Sequence, residues 1–160
     1  MKEIKIGNKI VGENQPFYTI AEIGSNFDQS LEKAYKLVDL AIESGADAVK
    51  FQSFKTEKLL NNNCFKKLKI GYQSKWKKTV FDVYKGAEFP TSFHSKVFEY
   101  CKSKEIEFFS APYDKESVDY LDKLGVNVFK IGSGDITWLK NIEYIAGKNK
   151  PIILATGASS

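Results

Sequence analysis

Arginine is missing altogether: all 24 basic residues are lysines, so no bidentate guanidinium fork is available to grip a carboxylate or phosphate. Any anion site must be built from lysine ammonium groups and backbone N–H groups. Histidine occurs once, at His94, and a lone histidine cannot make a metal site that needs several ligands. Its place on a helix predicted over 93–104, remote from the strand ends, marks it as a surface residue. Cysteine is scarce too. Cys64 and Cys101 stand far apart with no CxxC pattern, which predicts free thiols in a reducing, cytoplasmic setting. No apolar run approaches the roughly 18 residues that span a membrane, so no membrane partner is expected.

What is present fits a single domain over residues 1–160, because a chain of this size buries about 70% of its unfolded surface. The net charge of +4 leans toward anionic partners without selecting nucleic acid. Short apolar segments alternate with amphipathic ones. "PFYTIAEIG" (16–24), "AVKF" (48–51), "IEFFSAP" (106–112), "NVFKIGS" (127–133) and "PIILATG" (151–157) read as strands. Residues 30–45, 93–104, 115–125 and 138–148 read as helices, the first with Leu31, Ala34, Leu37, Val38, Ala41 and Ile42 on one stripe and Ser30 as its N-cap. This order predicts an α/β fold with parallel pairing and right-handed crossovers. Two architectures fit: a five-stranded flavodoxin-like sheet, or a (β/α)8 TIM-type barrel of which about five of the eight βα strands are present.

The polar residues are placed in a pattern. Glu22, Lys50 with Gln52, Ser110, Lys130 with Ser133, and Thr156 each lie at or just beyond the carboxyl end of a different predicted strand. In a parallel sheet those ends share one face, where both architectures place their sites. Lys50 lies between Val49 and Phe51, and Lys130 between Phe129 and Ile131, so each lysine points to the side of its strand opposite its apolar neighbours. In a barrel that side is the interior, where an unpaired ammonium is costly. Gly132-Ser133-Gly134 adds a hydroxyl and a turn whose N–H groups can curl round an oxyanion. Lysines, hydroxyl and N–H groups together suit phosphate.

At "IAEIGSN" (20–26), "SGADAVKFQ" (44–52), "FFSAPYDKESVDYLDKLGVNVFKIGSGDI" (108–136) and "KPIILATG" (150–157) the chain resembles the sialic acid synthases. These enzymes condense phosphoenolpyruvate with an N-acylated amino sugar. The resemblance implies a (β/α)8 barrel rather than the flavodoxin-like sheet. It also implies that Lys50, Lys130 and Ser133 hold phosphoenolpyruvate, that Gln52 lines the same pocket, and that Glu22 meets the sugar as the catalytic carboxylate. A divalent metal, manganese or magnesium, is implied for the full-length enzymes, with its histidine ligands on later strands that this chain does not provide, and so is a homodimer.

Departures from the family's pattern accompany the match. Ala111 stands where a threonine is usual, Ala155 where a serine is usual, and Phe27 where histidine is frequent. Two phosphate-facing hydroxyls are thereby lost, at roughly 1.5–3 kcal/mol for each hydrogen bond to a charged group. The expectation is the N-terminal portion of a synthase barrel, without the C-terminal half or the antifreeze-like domain, and without turnover in isolation. Residues 65–78, "FKKLKIGYQSKWKK", carry six lysines interleaved with Phe65, Tyr72 and Trp76. This stretch reads as a lid on a long βα connection, with polyanion binding as its rival function. A non-catalytic anion-binding module is the other alternative for the chain as a whole.

Overall fold

The structure, a computed structural model, describes residues 3–65, 71–157 and 159. Its chain opens with an antiparallel hairpin of β1 (Ile4–Ile6) and β2 (Lys9–Val11) joined by Gly7-Asn8. Three parallel strands follow in the order β3 (Ile20–Gly24), β4 (Ala48–Ser53) and β5 (Glu107–Pro112). A second parallel pair, β6 (Phe129–Ile131) and β7 (Ile152–Leu154), lies beside β5. Among the described residues the two ladders are separate and open, since β3, β5, β6 and β7 have one hydrogen-bonded neighbour each. The α/β order and the parallel pairing agree with the sequence; closure into eight strands is not seen.

The helices that connect these strands are α1 (Leu31–Glu43), the short α2 (Thr56–Leu59) and α3 (Asn62–Phe65), α4 (Val80–Ala87), α5 (Thr91–Ser103), α6 (Lys115–Leu124) and α7 (Leu139–Ala146). Capping sets where the helices begin. Ser30 Oγ accepts from the Lys33 N–H at 3.2 Å, and the Asp114 carboxylate accepts from the Ser117 N–H at 2.9 Å. Each satisfies one of the donors that the first helical turn leaves unpaired.

Strand alternation divides the core in two. Val49, Phe51, Phe108, Phe129 and Ile131 face the helices and pack with Ala34 and Val38 of α1, Val97 of α5, Leu121 of α6 and Ile145 of α7. Ala48, Phe109 and Val128 point the other way and pack on Ile6 of the hairpin, with Val11, Tyr18 and Ile153 at the margin. The hairpin thus plugs the amino-terminal end of the inner face. Phe27 belongs to the helix-side core, where its ring lies 5.1 Å from that of Phe89.

The hairpin's seat depends on Gly7. Its φ is +56°, and a Cβ there would fall 2.0 Å from Glu107 Oε2, while the Glu107 carboxylate accepts from Asn127 Nδ2 at 3.0 Å. Gly7→Ala should lower stability by about 1–2 kcal/mol from the left-handed backbone alone, and by more if Glu107 is driven off Asn127. A urea midpoint equal to that of the unaltered protein would contradict this.

Candidate active site

The inner face opens into a cleft of about 640 Å³ at the carboxyl ends of the strands. Parallel register brings its groups together. Glu22 on β3 is the direct partner of Lys50 on β4, and the two side chains form an ion pair. The ladder slips by one residue after Glu22, and Gly24 takes the slack with a φ of +57°. A side chain at Gly24 would crowd Glu22 Oε1 at 3.2 Å, so the glycine lets the carboxylate lie close over the strand end.

Lys50 is only 8% exposed, whereas the Glu22 side chain is about half exposed and reaches the open cleft. Lys130, on the same wall, donates from Nζ to the Ile131 carbonyl. Burial holds the Lys130 ammonium below its ordinary pKa, the Lys50 charge lowers it further, and Glu22 and Asp135 partly offset both. Gln52 and Ser133 add to the polar lining, with Ser133 on a 3-10 turn, Ser133–Asp135. Five predicted residues, Glu22, Lys50, Gln52, Lys130 and Ser133, therefore share one cleft.

Two others do not. Ser110 stands at the opposite parity of β5 from Phe109 and Ala111, and so it faces the helices. It is fully buried, with its hydroxyl 2.7 Å from Ser53 Oγ. Thr156 is exposed and off the cleft lining; its neighbour Ala155 lines the cleft instead. The alanines at 111 and 155 thus occupy the cleft-side positions of β5 and of the segment after β7.

His94 also departs from expectation. It is 5% exposed, with Nε2 2.6 Å from Ser53 Oγ and Nδ1 3.2 Å from the Pro90 carbonyl. The helix begins at Thr91 rather than at residue 93, and His94 lies on its inward face. Both ring nitrogens are engaged, so it is not free to bind an ion. Among the described residues no group of three or more His, Cys, Asp or Glu side chains could hold a metal.

Sequence reasoning missed Asp135, Tyr113, Tyr84, Leu59 and Leu60, all on the cleft wall. Asp135 follows the glycine-serine-glycine turn directly, which was the available signal. Burial raises its carboxyl pKa while Lys130 pulls it back. Leu59, Leu60 and Tyr84 come from the long connection after β4, so that connection does flank the cleft. Lys66, Lys67 and Lys69 of the basic stretch lie outside the described residues. No helix of the described residues is long and apolar enough to cross a membrane.

Parallel strands backed by helices, with two lysines and two carboxylates converging at the strand ends, define an α/β protein with a charged cleft. Comparison with known proteins narrows this class. The chain belongs to the NeuB family, whose model matches residues 37–160. It is 40% identical over 144 residues to the N,N'-diacetyllegionaminic acid synthase of Campylobacter jejuni, covering 88% of this chain and 42% of that protein. It is 34% identical over 152 residues to the human N-acetylneuraminate-9-phosphate synthase, covering 94% of this chain and 42% of that one. Among solved structures it superposes on the N-acetylneuraminic acid synthetase of Leptospira borgpetersenii, in complex with citrate, with a TM-score of 0.86 and 30% identity, over 99% of this chain and 51% of the other. The chain thus spans less than half the length of these curated relatives.

Proposed function

We propose that this chain provides the enolpyruvate-binding part of a (β/α)8 synthase barrel that condenses phosphoenolpyruvate with an N-acylated amino sugar to a nine-carbon 2-keto sugar acid. The observation that carries the proposal is the pair of lysines in one cleft, Lys50 nearly buried and Lys130 held below its usual pKa. Two ammonium groups close together in a partly desolvated pocket repel each other and attract an anion strongly. A ligand bearing a phosphate and a carboxylate neutralises both.

In the reaction the enol carbon attacks the sugar aldehyde, water adds to the resulting cation, and C–O cleavage releases phosphate. Lys50 and Lys130 hold the phosphate and carboxylate while charge shifts between them. Glu22, at the mouth, presents a carboxylate to the sugar. Gln52 and Ser133 orient the anion through neutral hydrogen bonds. Among the described residues no cluster of His, Cys, Asp or Glu side chains could hold the divalent metal that such a reaction would use, so the role proposed for these residues is binding and orienting the substrates. A cytoplasmic, homodimeric enzyme without a nucleic-acid or membrane partner accords with this chemistry.

Calorimetry tests the reading. The protein should bind phosphoenolpyruvate, and Lys50→Ala and Lys130→Ala should each weaken binding at least roughly tenfold, as loss of a charge-assisted contact requires. Lys50→Ala should be the more severe, because it also leaves Glu22 unpaired and facing the anion. Unchanged affinity in both variants would refute the shared anion pocket.

A further inference from the structure

Tyr113 follows the last residue of β5 and continues the parity of Phe109 and Ala111, so it turns toward the cleft. Its place is fixed at two points. The backbone N–H donates to the Ser53 carbonyl at 3.0 Å, tying it to the end of β4. The ring meets Phe54 edge-on, with centroids 5.9 Å apart at 85°. The phenol hydroxyl then lies over Gly132, 3.6 Å from where a Cβ on that residue would stand. Among the described residues the hydroxyl has no hydrogen-bond partner.

Its surroundings decide what it can do. Ala111 and Ala155 give β5 and the segment after β7 no side-chain donor on this wall, and Gly132 lies two residues after Lys130 and directly before Ser133. Burial, then the negative charges of Asp135 and Glu22, push the phenol up to about 12. It therefore keeps its proton at physiological pH and is available as a donor.

We propose that the Tyr113 hydroxyl donates a hydrogen bond to an oxyanion of the ligand held by Lys50 and Lys130, supplying the neutral donor that Ala111 and Ala155 cannot. Tyr113 is then a ligand-binding residue of the cleft. The inference rests on the enolpyruvate reading and adds the residue that completes its anion pocket.

Tyr113→Phe keeps the ring on Phe54 and removes only the hydroxyl. Binding of phosphoenolpyruvate, inorganic phosphate and pyruvate to the protein and to this variant, measured by calorimetry alongside Lys130→Ala, tests it. The expected result is about tenfold weaker phosphoenolpyruvate binding by Tyr113→Phe, with an unchanged melting temperature. A parallel loss for phosphate places the hydroxyl on the phosphoryl group; a parallel loss for pyruvate places it on the carboxylate. Equal affinity of Tyr113→Phe and the unaltered protein, with Lys130→Ala weakened, overturns the role of Tyr113 alone. Failure of the unaltered protein to bind phosphoenolpyruvate, or equal binding by Lys130→Ala, overturns the enolpyruvate reading and Tyr113's part with it.

Discussion

Phe51→Ala should lower the unfolding free energy by about 3–5 kcal/mol, the range for deleting a buried aromatic ring. The ring is fully buried at the centre of β4. It stacks on Phe89 at 4.8 Å and 13°, and meets Phe108 at 5.6 Å and Phe27 at 6.2 Å. Aromatic pairs of this kind add about 0.5–1.5 kcal/mol beyond the area they bury, and the cavity left behind has walls on β5 and on two connecting segments that cannot all collapse inward. Urea denaturation of Phe51→Ala measures the loss, with Phe17→Ala as control. Phe17 is 97% exposed, and its truncation should leave stability within about 0.5 kcal/mol. A loss below about 1 kcal/mol for Phe51→Ala would show that the phenylalanine cluster is not the centre of the core. Because Phe51 lies between Lys50 and Gln52 on the strand, the same variant should also loosen the cleft on the strand's other side.

The sequence made the site legible wherever one face of a strand was polar and the other apolar. Lys50 and Lys130 each interrupt an apolar run, and that interruption correctly identified the residues facing inward. In "EFFSAP" the signal fails, because both faces are buried: Phe108 packs under the helices and Phe109 against the hairpin. A strand with no polar face gives no parity, so the sequence places Ser110 at the cleft although its hydroxyl is bonded to Ser53 on the helix side. Thr156 departs for another reason: it lies beyond β7, and Ala155, not its neighbour, continues the parity of Ile153 and lines the cleft. The hairpin β1–β2 escaped because its strands are three residues long and rich in lysine, though Gly7-Asn8 is a two-residue turn signal. Tyr113 keeps the parity of β5 but lies one residue past its end, and Asp135 sits on the 3-10 turn after β6, where strand periodicity no longer applies.

His94 shows what burial adds to a residue that looks like surface in sequence. Its imidazole sits on Phe89, ring centroids 4.2 Å apart, and burial lowers its pKa from the ordinary 6.5 to about 4, with the Lys55 charge helping. The hydrogen bonds fit the neutral ring: Nδ1–H donates to the Pro90 carbonyl, and Nε2 accepts from the Ser53 hydroxyl, which in turn accepts from Ser110. A protonated ring would force Ser53 to reverse and would place an ammonium-like charge in the helix-side core. Above pH 6.5 the histidine is neutral whether folded or unfolded, and it makes no pH-dependent difference. As pH falls from 6.5 toward 4 the unfolded chain takes up the proton first, so stability declines through that window and levels off below it. A depression from 6.5 to about 4 corresponds to a loss of about 3 kcal/mol. Other groups titrate over the same range, so the quantity to measure is the difference between the protein and His94→Gln in urea titrations at pH 7, 5.5 and 4. Glutamine can still bond Ser53 and carries no titrating proton; its stability should fall about 3 kcal/mol less over that interval. Parallel curves for the two proteins would mean that His94 is solvated in the folded state, and that the Ser53–Ser110 clamp across β4 and β5 does not depend on a neutral imidazole.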